Sequence, residues 1–333
     1  LTAINSYLDR KSLKRATDAL IYADGPWVTK ITIPQKNSAV YKARRYNSIA
    51  PTGGTQAASL KAVVEGAIPT NVQPTITDIT ATCSQYGSWF EFTDVATWTN
   101  EVDVNQNLMK VNAENMARTL DFVVRDNIMA GTNVFRLTDD VGGVSGAARA
   151  NVAGHINAVA LDKAIRDLEE GNAERVTPAI NAGSGEGTSA VRAGYVALIH
   201  PHVKYDLEQV PGYKSVVDYG STSGLLKNEV GSYKDIRFVM STGAKIFADS
   251  GATKAATQST TGTDSDVYAT VILGKDAYAA IELASTQEVI YKPLGQGGND
   301  PLNQRATIGW KAMSTALILN DAFMLRFESV ATA

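Results

Sequence analysis

Ala39-Val40-Tyr41-Lys42-Ala43-Arg44-Arg45-Tyr46 and Thr77-Asp78-Ile79-Thr80-Ala81-Thr82-Cys83-Ser84-Gln85-Tyr86-Gly87-Ser88-Trp89-Phe90-Glu91-Phe92-Thr93 are the two stretches on which the fold turns. Both read as strands. The first sets Val40, Lys42, Arg44 and Tyr46 on one face. In the second, Ile79, Ala81 and Cys83 alternate with Asp78, Thr80, Thr82 and Ser84. After Gly87 the apolar parity passes to Phe90 and Phe92, and a switch of parity at a glycine predicts a bulge there. Roughly thirty residues join the two strands, long for a connection inside one domain. They are rich in Gly, Ala, Thr and Pro, with Pro51-Thr52-Gly53-Gly54, Glu65-Gly66, Pro69 and Pro74. With so few apolar anchors the segment gains little by folding on its own chain. It suits an extended hairpin that lies on a neighbouring molecule.

Upstream, residues 6–22 carry Leu8, Leu13, Ala16, Ala19 and Leu20 between charges, which predicts an amphipathic helix of about four turns. Gly25-Pro26 ends it. Residues 28–33 alternate, and Pro34 closes them. Downstream, residues 104–130 predict the longest helix, a rod of roughly 40 Å. Asp103 with Gln106 resembles a capping box, and Gly131 stands where a C′ glycine belongs. Leu108, Val111, Leu120, Val123, Val124 and Ile128 form its apolar face, and Arg118, Asp121, Arg125 and Asp126 its wet one. A Gly/Ala-rich loop follows over 136–155, then a second amphipathic helix over 156–170 and a flexible Gly/Ser turn over 181–188. Residues 195–199 read as a buried strand and 203–208 as a short helix. Strands are expected at 236–240, 267–273, 288–291, 307–319 and 323–327, with a polar surface loop at 252–266. The terminal strands have no partner nearby, so the two ends of this α+β chain are expected to pair across its middle.

These residues resemble one family. Ile76-Thr77-Asp78-Ile79-Thr80-Ala81-Thr82, continued by Gln85-Tyr86-Gly87 and Phe92-Thr93-Asp94, is similar to the hairpin strand of tailed-bacteriophage major capsid proteins of the Enquatrovirus-like podophage group. So are Val124-Arg125-Asp126 with Ala130-Gly131-Thr132-Asn133, and Tyr195-Val196-Ala197-Leu198-Ile199-His200-Pro201. Lys245-Ile246-Phe247, Val267-Tyr268-Ala269-Thr270 and Leu273-Gly274-Lys275-Asp276-Ala277-Tyr278 extend the likeness. It covers residues 40 to 283, and the last fifty or so carry no such motif. The resemblance implies the Hong Kong 97 phage-type capsid fold. Residues 1–37 would be an N-terminal arm and 38–97 an extended hairpin loop. A peripheral domain with its spine helix would take 98–149, an axial domain 150–285, and further peripheral strands 286–333. It implies a non-enzymatic subunit that assembles with itself, as pentamers and hexamers, into an icosahedral head enclosing double-stranded DNA. Portal, scaffold and decoration proteins would be further partners. Assembly in the host cytoplasm would put the product in the virion. The Lys–Asn cross-linking pair of some members has no identifiable counterpart. An encapsulin-type nanocompartment shares the implied fold and is the alternative. An α/β enzyme or ligand-binding module is the alternative of another class.

Composition agrees with a protein that buries a core: 44% of the 333 residues are hydrophobic and 20% charged. The net charge of −3 lacks the basic excess of proteins that grip phosphates. It suits a container whose DNA is held without specific binding and must leave. The single cysteine, Cys83, excludes an intramolecular disulfide and fits intracellular assembly. No apolar run of about 18 residues predicts a membrane helix, and the opening does not read as a signal peptide. Leu1 fits either a late start or the removal of a leader.

No catalytic, cofactor-binding or metal residue is nominated. His200-Pro201-His202 lacks a third ligand at a supporting spacing and reads as a strand-to-helix turn. His155 has no partner motif. Gly183-Ser184-Gly185-Glu186-Gly187 is followed by no Lys-Ser/Thr pair and reads as a surface turn. Gly142-Gly143 is similar, and Gly53-Gly54 frees a loop tip. Cys83, without basic neighbours, reads as a buried structural thiol. Asp139-Asp140 and Glu169-Glu170 lie in a polar loop and on a helix face, not as a general acid/base pair. Arg44 and Arg45 admit three readings: a solvated strand face, an ion pair with a neighbouring subunit, or a DNA contact. Glu65 is the candidate partner of opposite sign on another copy.

Overall fold

The computed structural model describes residues 20–47, 65–66, 68, 73–99, 104–181, 190–219, 224–253, 256–295 and 300–333. In chain order, β1 (Thr29–Ile33) precedes β2 (Val40–Tyr46), β3 (Ile76–Thr82) and β4 (Ser84–Thr93), then a short helix α1 (Asp94–Thr99) and the long helix α2 (Val104–Ile128). The middle holds β5 (Val134–Arg136), α3 (Ala158–Glu170), β6 (Tyr195–Ile199), α4 (Pro201–Glu208), β7 (Tyr213–Ser215), β8 (Glu229–Tyr233), β9 (Ile236–Met240), β10 (Ile246–Phe247) and β11 (Val267–Leu273). β12 (Tyr278–Leu283), β13 (Glu288–Lys292), β14 (Arg305–Ile318) and β15 (Met324–Ser329) complete it.

The strands form three sheets. β2 and β3 make a two-stranded ladder. A five-stranded sheet runs β1-β12-β14-β13, with β4 on the other edge of β14. An eight-stranded sheet runs β5-β15-β11-β6-β9-β8-β7, with β10 on β11. Both sheets join distant parts of the chain: β1 lies parallel to β12, β4 pairs with β14, and β15 pairs with β5 and β11. This division differs from the expected one. β12 falls within 150–285 yet belongs to the five-stranded sheet, and β15 falls within 286–333 yet belongs to the eight-stranded one. The reason is the buried, two-faced character of β15. Leu325 and Phe327 pack with α3 on one side, and Met324 meets the end of α2 on the other.

Four further expectations change. The helix expected over 6–22 lies mostly outside the described residues, but Leu20–Tyr22 are not helical. Ile21, Tyr22 and Trp27 are buried with Val124 and Ile128 of α2, so the end of the expected arm belongs to the body. Asp103, the expected cap, is outside the described residues. Gly131 does not take the left-handed conformation of a C′ glycine. It is required instead by close approach, since a Cβ there would stand 2.9 Å from Asp321 Oδ1. That carboxylate accepts the N–H groups of Thr132 and Asn133, fixing the chain as it leaves the helix. The parity switch falls at Cys83-Ser84, not at Gly87. It marks the strand's passage from the ladder with β2 to unbroken pairing with β14, from Ser84↔Ser314 to Thr93↔Arg305. Gly87 permits close strand contact, because a Cβ would come within 2.8 Å of the Trp310 carbonyl oxygen.

The fourth change is Asp121, placed by periodicity on the wet face of α2 but buried. Its Oδ1 accepts the N–H groups of Tyr22 and Ala23, each at 2.8 Å. Burial pushes its carboxyl up, against the pull of those N–H groups. The Tyr278 hydroxyl, donating to the Tyr22 carbonyl at 2.8 Å, completes the clasp. Asp121→Ala leaves one buried and one half-buried donor unmet and is expected to cost about 2 kcal/mol. Asp121→Asn keeps an acceptor and sheds a buried charge, and should cost much less. Urea unfolding gives the two costs. Faster tryptic cleavage at the exposed Lys30 in the alanine variant alone would locate the damage.

Candidate assembly surface

The β2–β3 ladder is in register from Val40↔Thr82 to Tyr46↔Ile76, and Asn47 N–H donates to the Thr75 carbonyl at 2.9 Å. Its two faces differ. Tyr41, Ala43, Ile79 and Ala81 pack down on Ile33, Cys83, Ala279, Ile281 and Leu317. Val40, Tyr46 and Ile76 face solvent. The base of the hairpin therefore covers part of the five-stranded sheet opposite α2. Most of the connection, including Pro51 to Gly54 and Pro69, lies outside the described residues.

Arg44 and Arg45 project to opposite faces of β2 and serve different ends. Arg44 sits directly across from Asp78, with Nε at 2.8 Å from Oδ1 and Nη2 at 3.2 Å from Oδ2. Lys42 reaches the same carboxylate at 2.7 Å. The Arg44 and Lys42 hydrogen bonds hold the Asp78 carboxyl far below the usual range. These groups are exposed, so the cluster adds little stability. It does present two cations against one anion. Arg45 reaches over the body instead, with Nη1 donating to Asn320 Oδ1 at 3.0 Å. Glu65 is exposed in a turn beside Gly66, whose φ is +80°. The chain does not bring it to either arginine among the described residues.

Sequence reasoning missed two exposed tryptophans. Trp89, Gly309 and Ile290 form one row across β4, β14 and β13, on the face away from α2. Trp89 is 64% exposed and leaves the sheet beside Gly309, where a Cβ would crowd its own to 3.0 Å. Ion pairs Lys311–Glu288 and Arg305–Glu91 flank the row at 3.0 and 3.2 Å. At the end of the same strands, α1 exposes Val95 and Trp98, the latter by 74%, near exposed Leu302. Exposed tryptophans are typical of contact surfaces, and the Trp89 row is flanked by charge as such surfaces are. The available signal was two of the four tryptophans, Trp89 and Trp98, within ten residues.

The remaining motifs have structural roles. His200 caps α4 through Nδ1, which accepts the His202 N–H at 3.2 Å. Burial, with His202 nearby, holds its pKa at about 4, so it is neutral. His202 Nδ1 lies 2.8 Å from the Tyr268 hydroxyl. Asp139 accepts the N–H groups of Gly142 and Val144, and Asp140 meets His155 at 2.9 Å. Cys83 is buried, and burial raises its thiol pKa. Gly183 to Gly187 lie outside the described residues. Among the described residues, no three His, Cys, Asp or Glu side chains gather in a way that could hold a metal ion.

No protein-family model matches the chain, and no curated protein matches it. Solved structures do. The capsid of the cyanophage P-SCSP1u is similar over 99% of this chain and 94% of its own, at 17% identity and a TM-score of 0.62. The head of the Helicobacter pylori bacteriophage KHP40 is similar over 99% and 95%, at 10% identity and 0.62. The capsid of Ralstonia phage GP4 is similar over 100% and 99%, at 11% identity and 0.59. At these identities the likeness is one of fold, and it runs from end to end. The chain has the Hong Kong 97 phage-type capsid fold expected from its motifs.

Proposed function

We propose that this chain is the major capsid protein of a tailed bacteriophage, a shell subunit whose activity is assembly and containment rather than catalysis. The observation that carries the reading is the end-to-end likeness to phage head subunits, over 99% of the chain in the cyanophage case. The surface supports it physically. A hairpin anchored at its base and a body that exposes Trp89 and Trp98 form a pair of surfaces that a second copy can satisfy. In rings about five- and six-fold axes such contacts are heterologous and close on themselves. Individually weak contacts let errors dissociate during growth, and their number then holds the shell.

On this reading the eight-stranded sheet is the axial domain, and the five-stranded sheet with α2 is the peripheral one. Within residues 1–37 and 38–97, the parts not packed into the body supply the arm and loop that reach neighbours. Glu65 of one copy is a partner for the Lys42–Arg44–Asp78 cluster of another, whose net charge is positive. The enclosed DNA is held without specific binding. Placement in the Enquatrovirus-like group, assembly in the host cytoplasm, and portal, scaffold and decoration partners belong to the same proposal. Negative-stain electron microscopy of the purified chain tests it, with closed shells of uniform diameter as the expected result. A protein that stays monomeric at high concentration overturns it. Shells from infected cells that hold enzyme instead of DNA favour the nanocompartment alternative.

A further inference from the structure

The sheet face that packs against α2 ends in charge. Met324, Arg326 and Glu328 follow one another on that face of β15. The end of α2 covers Met324, and beyond it Glu328 is fully buried. Its Oε1 lies 3.0 Å from Arg326 Nε and 2.8 Å from Arg149 Nη2, and its Oε2 3.3 Å from Arg136 Nε. Arg149 Nε also donates to Oε2 at 3.2 Å. Three guanidinium groups thus share one carboxylate, and no second carboxylate lies within 4 Å of any of them among the described residues. Carbonyl oxygens take part of the load, Met129 O accepting from Arg326 and Ala147 O from Arg136 at 3.0 Å. Two positive charges still stand without a counter-charge where water is partly excluded, and that is costly. Burial pulls the Arg326 guanidinium below its usual range. Glu328 opposes the shift, while Arg149 and Arg136 add to it.

An open cleft of about 520 Å³ adjoins this group, lined in part by Arg149, Arg326, Lys245, Phe247, Asp126 and Gly131. Arg149 is held flat against Phe247, its guanidinium carbon 3.5 Å from the ring centroid. Lys245 reaches over Asp126 at 3.1 Å, and Arg125 binds the same carboxylate at 3.0 Å. Arg149, Arg326 and Lys245 line the cleft beside Asp126, and Arg136 and Arg125 stand behind them on Glu328 and Asp126. Five cationic side chains therefore meet two carboxylates, an excess of three positive charges on a chain whose net charge is −3. We propose that this cleft binds a phosphate group, supplied by free phosphate or by a nucleic-acid backbone. A phosphate dianion offsets the two uncompensated charges around Glu328. A backbone phosphodiester, like a carboxylate, carries one, so a nucleic acid matches them with two neighbouring phosphates. Guanidinium forks held by stacking match tetrahedral oxyanions in geometry. The inference stands on the subunit alone and does not depend on the shell reading.

Calorimetric titration of the full chain with sodium phosphate, at constant ionic strength, tests it. Saturable one-site binding is expected. The Lys245 side chain does not reach Glu328, and its bond to the sheet is made by the backbone carbonyl, which Lys245→Gln keeps, so the fold is secure and the substitution should weaken binding about tenfold. Lys245→Arg should bind much as the native chain does. Arg149→Gln, with its fold checked by circular dichroism, should abolish the heat of binding. A short DNA duplex that phosphate displaces identifies the backbone as a source. A duplex that does not bind leaves free phosphate as the ligand. Absence of saturable phosphate binding, equal binding in both glutamine variants, or sodium acetate binding as tightly as phosphate overturns the proposal.

Discussion

A chain lacking residues 50–74 is expected to fold normally and to fail at building durable shells. The local geometry makes the first half of that expectation strict. The β2–β3 ladder is complete at Tyr46↔Ile76, and Asn47 and Thr75 already share a backbone hydrogen bond. Removing 50–74 leaves Ser48-Ile49 between Asn47 and Thr75, the length of a two-residue hairpin loop. An Asn-Gly pair in that place suits the required turn. No residue that packs the hairpin onto the body is lost, because Tyr41, Ala43, Ile79 and Ala81 all remain. The urea midpoint should therefore move little, by less than about 1 kcal/mol in stability. Assembly is different. If the removed segment finds its burial on neighbouring copies, each subunit loses a contact that no other part of the chain replaces. Microscopy should show scattered subunits or fragile, open particles. Native-like shells from the shortened chain would end the idea that this segment clasps its neighbours.

The second large effect is expected at Glu328. Glu328→Gln keeps shape and an acceptor but removes the one anion that, among the described residues, pairs with three guanidinium groups. Breaking a buried ion cluster from the side of its counter-charge costs about 3–5 kcal/mol. The full cost should appear at neutral pH as a lower urea midpoint. Arg136→Gln provides the contrast: it relieves like-charge crowding and should cost far less. A Glu328→Gln protein as stable as the native one would mean that the three arginines are balanced elsewhere.

Much of the architecture was legible because burial writes itself into short apolar runs. Residues 195–199, 236–240 and 267–273 are strands at those same bounds, since each is covered on both faces. Tyr278–Leu283 escaped notice because Ala279, Ala280, Glu282 and Leu283 are helix-favouring residues placed in a strand by the neighbours β1 and β14. Glu229–Tyr233 was hidden by Gly231, where a Cβ would collide with the Tyr213 ring. Asp121 was misread for a related reason. Its helical position is polar by every local rule, but the residues that cover it, Tyr22 and Ala23, lie 98 or more positions away. The phosphate cleft was illegible for the same cause, its cationic side chains standing at 149, 245 and 326. Arg44, Arg45 and Glu65 were drawn from charge alone. Charge on a strand face does not reveal that Asp78 across the ladder already occupies Arg44.

The passage at Cys83-Ser84 has a mechanical consequence. The strand that leaves the hairpin enters the body without an intervening loop and is gripped by β14 along ten consecutive residues. The hairpin is thus a cantilever whose root is a long shear joint, not a flap on a tether. Outward force on it is shared among the rungs of that joint together, so in a shell of the kind proposed, internal pressure would bend the beam before it unzipped the root.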